Sequence, residues 1–187
     1  MNKILITAFE PFGGKTANAS SAVLEQLPEK IAGYAAEKML LPVVFGQAAE
    51  KALSVPADAV FLLGEAAGRS TVTPEFRGKN LREARIPDNA GYMPAGEKIL
   101  SGGPEEVFCR FPVQEIVERM QAEGYVIAVS EDAGSFVCND TFYLVSFQST
   151  APVSFIHVPA EPERATEFAD VMKRYIECCL TGMKSEG

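Results

Sequence analysis

A chain of 187 residues with 47% hydrophobic and 22% charged residues is long enough for one domain with a full core, and its composition is that of an ordinary water-soluble globular protein. A formal net charge of −8 with no basic run argues against nucleic acid or anionic membrane as partner, and no apolar run reaches the roughly 18–20 residues that span a bilayer. Four cysteines without spaced pairs, and a start (MNKI) that enters a strand pattern with no signal-peptide apolar region or cleavage site, predict a cytoplasmic protein.

Residues 3–7 (KILIT) predict a short buried strand. The loop after it holds Phe9 and Phe12 ahead of Gly13-Gly14. Side chains that apolar in a loop either plug the core or line a pocket, and the pattern alone does not choose. The glycine pair is not a G-x-G-x-x-G phosphate loop. Asn18 can cap a helix running to about Leu27, before Pro28. Residues 37–44 (EKMLLPVV) predict a strand that Pro42 pushes toward an edge or its end, and residues 45–53 a short helix.

Residues 59–64 (AVFLLG) form a continuous apolar strand of the parallel, doubly covered type. Residues 65–89 then predict a long polar loop leaving the carboxyl end of that strand, with Glu75 and two buried-looking arginines, Arg69 and Arg85. Residues 90–111, punctuated by Gly and Pro, predict an irregular covering excursion. Pro112 starts a helix whose apolar stripe is Val113, Ile116, Val117 and Met120. Pro162 opens a last helix to about Leu180, stopped by Gly182, with Cys179 on its apolar stripe and Cys178 toward the stripe's margin. The alternation gives an α/β fold: a single α/β/α sandwich with a mostly parallel twisted sheet.

The chemistry concentrates between these helices. Residues 125–130 (YVIAVS) predict a buried strand, Gly134 breaks it, and residues 139–148 predict a helix. Cys138 falls at the start of that helix, where backbone N–H groups and the helix dipole favour a thiolate. Residues 153–158 (VSFIHV) predict the next strand and carry His157, the only histidine. A right-handed parallel crossover would bring the carboxyl ends of both strands, with Cys138 and His157, to one edge of the sheet. Singly, each residue reads as a buried or satisfied side chain; together at adjacent strand ends they predict a nucleophile and its base. One histidine and no C-x-x-C give no metal site, no G-x-S-x-G elbow is present, and no cofactor is expected.

Four stretches together resemble the pyroglutamyl-peptidase I, or pyrrolidone-carboxylate peptidase, family of cysteine peptidases. They are FEPFGG from Phe9; Gly68-Arg69 with Thr73-Pro74-Glu75 and Asn80; ARIPDN from Ala84; and AGSFVCN from Ala133 with FIHVP from Phe155. They run in the family's order over nearly the whole chain. The resemblance implies an enzyme that removes an N-terminal pyroglutamyl residue from peptides without a cofactor, in the cytosol, in a protein that often assembles as a homotetramer. It makes Cys138 the nucleophile, His157 the general base and acid, Glu75 the residue orienting His157, and Arg85 a contributor to oxyanion stabilisation. It makes Phe9, Phe12, Phe136 and Val137 the apolar slot for the lactam ring. Glu65 stands where many relatives carry Gln, so it enters the pocket as an acceptor-only group, or else turns to Arg69 in solvent. Asp132 and Ala67 also depart from the pattern, and the connection from Cys138 to His157 is shortened. A thiol amidohydrolase preferring another small lactam, and a binding domain that no longer turns over, are the competing readings; keeping Cys138, His157 and Glu75 together speaks against the second.

Overall fold

A computed structural model of the chain describes residues 2–185. Strand β1 (Lys3–Phe9) leads through a loop to helix α1 (Ala19–Gln26), followed by β2 (Lys30–Ile31), β3 (Tyr34–Leu41), α2 (Gln47–Leu53) and β4 (Ala59–Ala66). Five short strands come next: β5 (Thr73–Pro74), β6 (Arg77–Lys79), β7 (Arg82–Glu83), β8 (Ala95–Glu97) and β9 (Glu106–Phe108). Helix α3 (Val113–Ala122), helix α4 (Val137–Gln148), strand β10 (Val153–Pro159) and helix α5 (Ala165–Ser185) complete the chain.

The main sheet has the order β2-β3-β1-β4-β10-β5. Its four inner strands run parallel, and the two short edge strands, β2 and β5, are antiparallel to their neighbours. The inner strands are apolar along their length because helices cover both sheet faces: α1 packs against α5 and α5 against α3, while α2 packs against α4. Ile4, Leu5, Ile6, Phe61, Leu62, Leu63, Phe155 and Ile156 are fully buried in this layer. Asn18 caps α1 as expected, its side chain accepting from the Ser20 N–H at 3.0 Å.

Several sequence expectations are corrected. Residues 125–130 are not a buried sheet strand. They touch the sheet only through isolated bridges, Val72 to Ile127 and Glu75 to Ser130, both parallel. Since β5 is antiparallel to β10, this stretch runs opposite to β10, and the parallel crossover through α4 does not exist. The stretch lies outside the last edge strand, so only one side has a partner and Val126 is 74% exposed. The polar loop 65–89 and the excursion 90–111 contain β5 to β9, two pairs of which make ribbons, β6 with β9 and β7 with β8. Gly182 does not stop the last helix, which continues to Ser185; an isolated glycine costs about 1 kcal/mol, less than is needed to break a helix with no proline behind it.

Candidate active site

His157 lies on β10 beside Gly64 of β4, the two being register partners. In-register residues of parallel strands send their side chains to the same face, with the strands about 4.8 Å apart. A Cβ built on Gly64 would lie 2.9 Å from Cys138 Sγ, so the thiol occupies the space above Gly64 that a side chain would fill. The imidazole therefore emerges on the face where the thiol sits. Cys138 gets there as the second residue of α4, after residues 131–136 loop back from the sheet's rim. Asn139 fixes that end of the helix: its amide accepts from the Lys79 N–H at 2.8 Å and donates to the Lys79 and Leu81 carbonyls. The cap residue Phe136 offers no side-chain acceptor, so the first N–H groups of α4 have no side-chain cap.

Glu75 follows β5, and its N–H donates to the Phe155 carbonyl at 2.8 Å, which brings it alongside β10. Its Oε1 accepts from His157 Nδ1 at 2.7 Å. A carboxylate can only accept, so the proton of the neutral ring sits on Nδ1 and Nε2 keeps a lone pair. Glu75 is fully buried, and its compensating charge is the Arg69 guanidinium, whose Nη2 lies 3.0 Å from the same Oε1. Burial pushes the Cys138 thiol up to about 12, with the negative charges of Glu75 and then Glu65 adding to it. The helix end favours a thiolate, while burial and the two carboxylates act the other way and favour the protonated thiol in the free protein.

Beside the thiol opens a cavity of about 130 Å³. Phe9, Phe12, Val43, Phe136 and Val137 make its apolar wall, and Asn18, Glu65 and Ser135 its polar part. Phe12 and Phe136 face each other at 6.0 Å between centroids, and Phe45 backs Phe136 edge-on at 5.4 Å. Phe9 does both jobs left open by the sequence, lining the cavity while packing into the core against Phe155 at 6.4 Å. Glu65 lines the cavity, but its carboxylate is engaged: Oε2 accepts from the Ala19 N–H at 2.7 Å and Oε1 pairs with Lys15. Pairing of Glu65 with Arg69 is not what occurs, because Arg69 is taken by Glu75.

Arg85 is exposed and does not line the cavity, which corrects its buried look in the sequence. The loop it belongs to contributes instead through Asp88. That buried carboxylate accepts from the N–H groups of Phe45, Ala90 and Tyr92, while Asn89 donates to the Pro11 carbonyl. The loop thus pins the two segments that supply Phe12 and Val43. Asn18, Val43, Gly64 and Asp88 were missed as parts of the site. In the sequence Asn18 marks only a helix cap, and nothing local marks Val43 or Gly64.

An uncapped helix end presenting a thiol, and an imidazole held by a buried carboxylate just beyond a neighbouring strand, define a cysteine hydrolase of the α/β class. The sequence matches the family model described as pyroglutamyl peptidase over residues 2–182. It is 35% identical to the pyrrolidone-carboxylate peptidase of Staphylococcus carnosus, over 98% of this chain and 90% of that one. It is 34% identical to that of Chromobacterium violaceum, with the same coverage. The fold superposes on pyroglutamyl peptidase I of Bacillus amyloliquefaciens with a TM-score of 0.86, at 33% identity over 96% of this chain and 97% of that one. A point variant of the pyrrolidone carboxyl peptidase of Pyrococcus furiosus gives a TM-score of 0.88, at 30% identity over 97% and 99% of the two chains. The chain belongs to the pyroglutamyl peptidase family of cysteine peptidases.

Proposed function

We propose that this protein removes the N-terminal pyroglutamyl residue of peptides through a thioester acyl-enzyme on Cys138. The observation that carries the reading is the 2.7 Å contact of His157 with Glu75 on the sheet face where the Cys138 thiol sits. Because the thiol starts protonated, attack on the pyroglutamyl carbonyl is coupled to transfer of its proton to His157 Nε2. Glu75 stabilises the imidazolium that forms. The oxyanion is assigned to the uncapped N–H groups at the start of α4, in place of Arg85. Collapse of the tetrahedral adduct returns the proton from His157 to the departing amine and leaves the thioester. Water, deprotonated by His157, then attacks the thioester to form a second oxyanion, whose collapse breaks the carbon–sulfur bond, releases pyroglutamate and returns the proton from His157 to the Cys138 sulfur.

The lactam ring is compact, flat and uncharged, which suits a slot of Phe9, Phe12, Phe136 and Val137. Glu65, an acceptor only, takes the ring N–H. No cofactor enters any of these steps. The chain acts as a single domain in the cytoplasm, where free thiols such as those of its four cysteines persist, and family resemblance makes a homotetramer its working assembly. The test is hydrolysis of a chromogenic pyroglutamyl amide beside the matching prolyl and alanyl amides under reducing conditions. Hydrolysis confined to the pyroglutamyl amide is expected; equal rates on all three, or none on any, would remove this reading.

A further inference from the structure

The geometry points to Arg69 as a positioning residue that locks the orientation of Glu75 and joins it to the loop leading into the helix that carries the nucleophile. This rests on the peptidase reading above. Glu75 is fully buried, its Oε1 is shared by His157 and Arg69, and its Oε2 has no hydrogen-bond partner among the described residues. One bond to an imidazole cannot hold a carboxylate in place. The group could rotate about its last torsion, offer either oxygen, or leave the ring free to take its other tautomer.

Arg69 removes that freedom by what else it holds. Its Nη1 donates to Thr73 Oγ1 at 2.7 Å, and Thr73 is the β5 residue paired with His157. Its Nη2 donates to the Asp132 carbonyl at 2.9 Å, on the loop that leads into α4 and Cys138. The planar guanidinium thus joins two segments through three groups: Thr73 on the strand beside the base, the Glu75 carboxylate that orients the base, and the Asp132 carbonyl on the approach to the nucleophile. Asp132 is itself held, its carboxylate accepting from the Gly134 N–H and pairing with Lys79 at 3.0 Å. A guanidinium also offsets the charge of a buried carboxylate, which an imidazole does only while protonated.

His157 is the only histidine, so its ring nitrogens give a single, unambiguous set of resonances in the 15N-labelled protein. In the unaltered chain they should report one fixed tautomer with the proton on Nδ1. Arg69→Met should convert this to an average of two tautomers and lower kcat about 100-fold, the order expected from misplacing a catalytic group by 1 Å, with KM little changed. Arg69→Lys keeps the charge but not the fork and should recover part of both. Thr73→Val, which removes one of the guanidinium's anchors, should shift the tautomer average more weakly and serves if Arg69→Met does not fold. A folded Arg69→Met protein with the fixed tautomer and full kcat would overturn the assignment, as would an unchanged tautomer in Thr73→Val and Arg69→Lys together. The nitrogen spectrum needs no substrate, so it tests Arg69 even if the pyroglutamyl amide is not hydrolysed.

Discussion

Gly64→Ala is the smallest change that should disable the site. The new Cβ would lie 2.8 Å from Phe155 Cζ and 2.9 Å from Cys138 Sγ, against the ~3.5–4.0 Å at which heavy atoms normally rest. Something must move by roughly 0.6–1.2 Å to restore that spacing. The phenyl ring has no room, being fully buried between Phe9, Phe142 and His157 at centroid distances of 6.4, 5.9 and 4.9 Å. The thiol is the end of a short side chain beside a cavity, so it gives way. A nucleophile displaced by about 1 Å costs about 100-fold in rate. The fold should lose only ~1–3 kcal/mol for the added methyl, and the glycine has no positive φ that alanine could not adopt. The experiment measures kcat and KM on the pyroglutamyl amide alongside a urea melt. Expected is a folded protein with kcat down about 100-fold and KM near its starting value. A folded variant with full kcat would show that the thiol does not need the space above Gly64, and the site geometry would have to be redrawn.

Glu75→Gln should keep the shape of the site and lower kcat about 10²–10⁴-fold with little effect on KM, because an amide cannot stabilise the imidazolium; retained turnover would remove Glu75 from the mechanism. Glu65→Gln should cost about 1 kcal/mol of stability, since it loses the Lys15 pair and weakens the acceptor on the first N–H of α1; a melt indistinguishable from the unaltered protein would refute that anchoring. Burial raises the thiols of Cys109, Cys138 and Cys179 and the phenol of Tyr175. Groups that hold protons more tightly when folded support the fold below their ordinary values and lose that support as pH rises toward the folded ones. Urea stability should therefore hold up to the ordinary thiol value of 9.0 and fall toward about 12, with Cys138→Ala flattening part of the decline. Stability that is level, or rises, across that range would contradict the burial argument.

What the sequence determined by itself is the set of features written in local pattern. The apolar runs of β1, β4 and β10 identify inner strands covered on both faces, Asn18 marks the start of α1, and the stripe of Val113, Ile116, Val117 and Met120 marks the buried face of α3. That Cys138 and His157 come to one edge of the sheet was legible too, although for a wrong reason, since residues 125–130 run against β10 at the rim. Glu75 could be picked out from its loop, but its role on His157 came only through resemblance, because it reaches the ring across 82 positions by way of a strand of two residues. Glu65 was readable as a cavity residue but not as the anchor of α1, 46 positions away. The state of the thiol was likewise decided by tertiary structure. The helix end that favours a thiolate is a local feature, whereas the burial and the two carboxylates that keep the proton on Cys138 come from β4, β5 and the packing between them. Local pattern records which backbone a segment prefers; which side chains share a space, and how much water is left there, follows only from how distant segments pack.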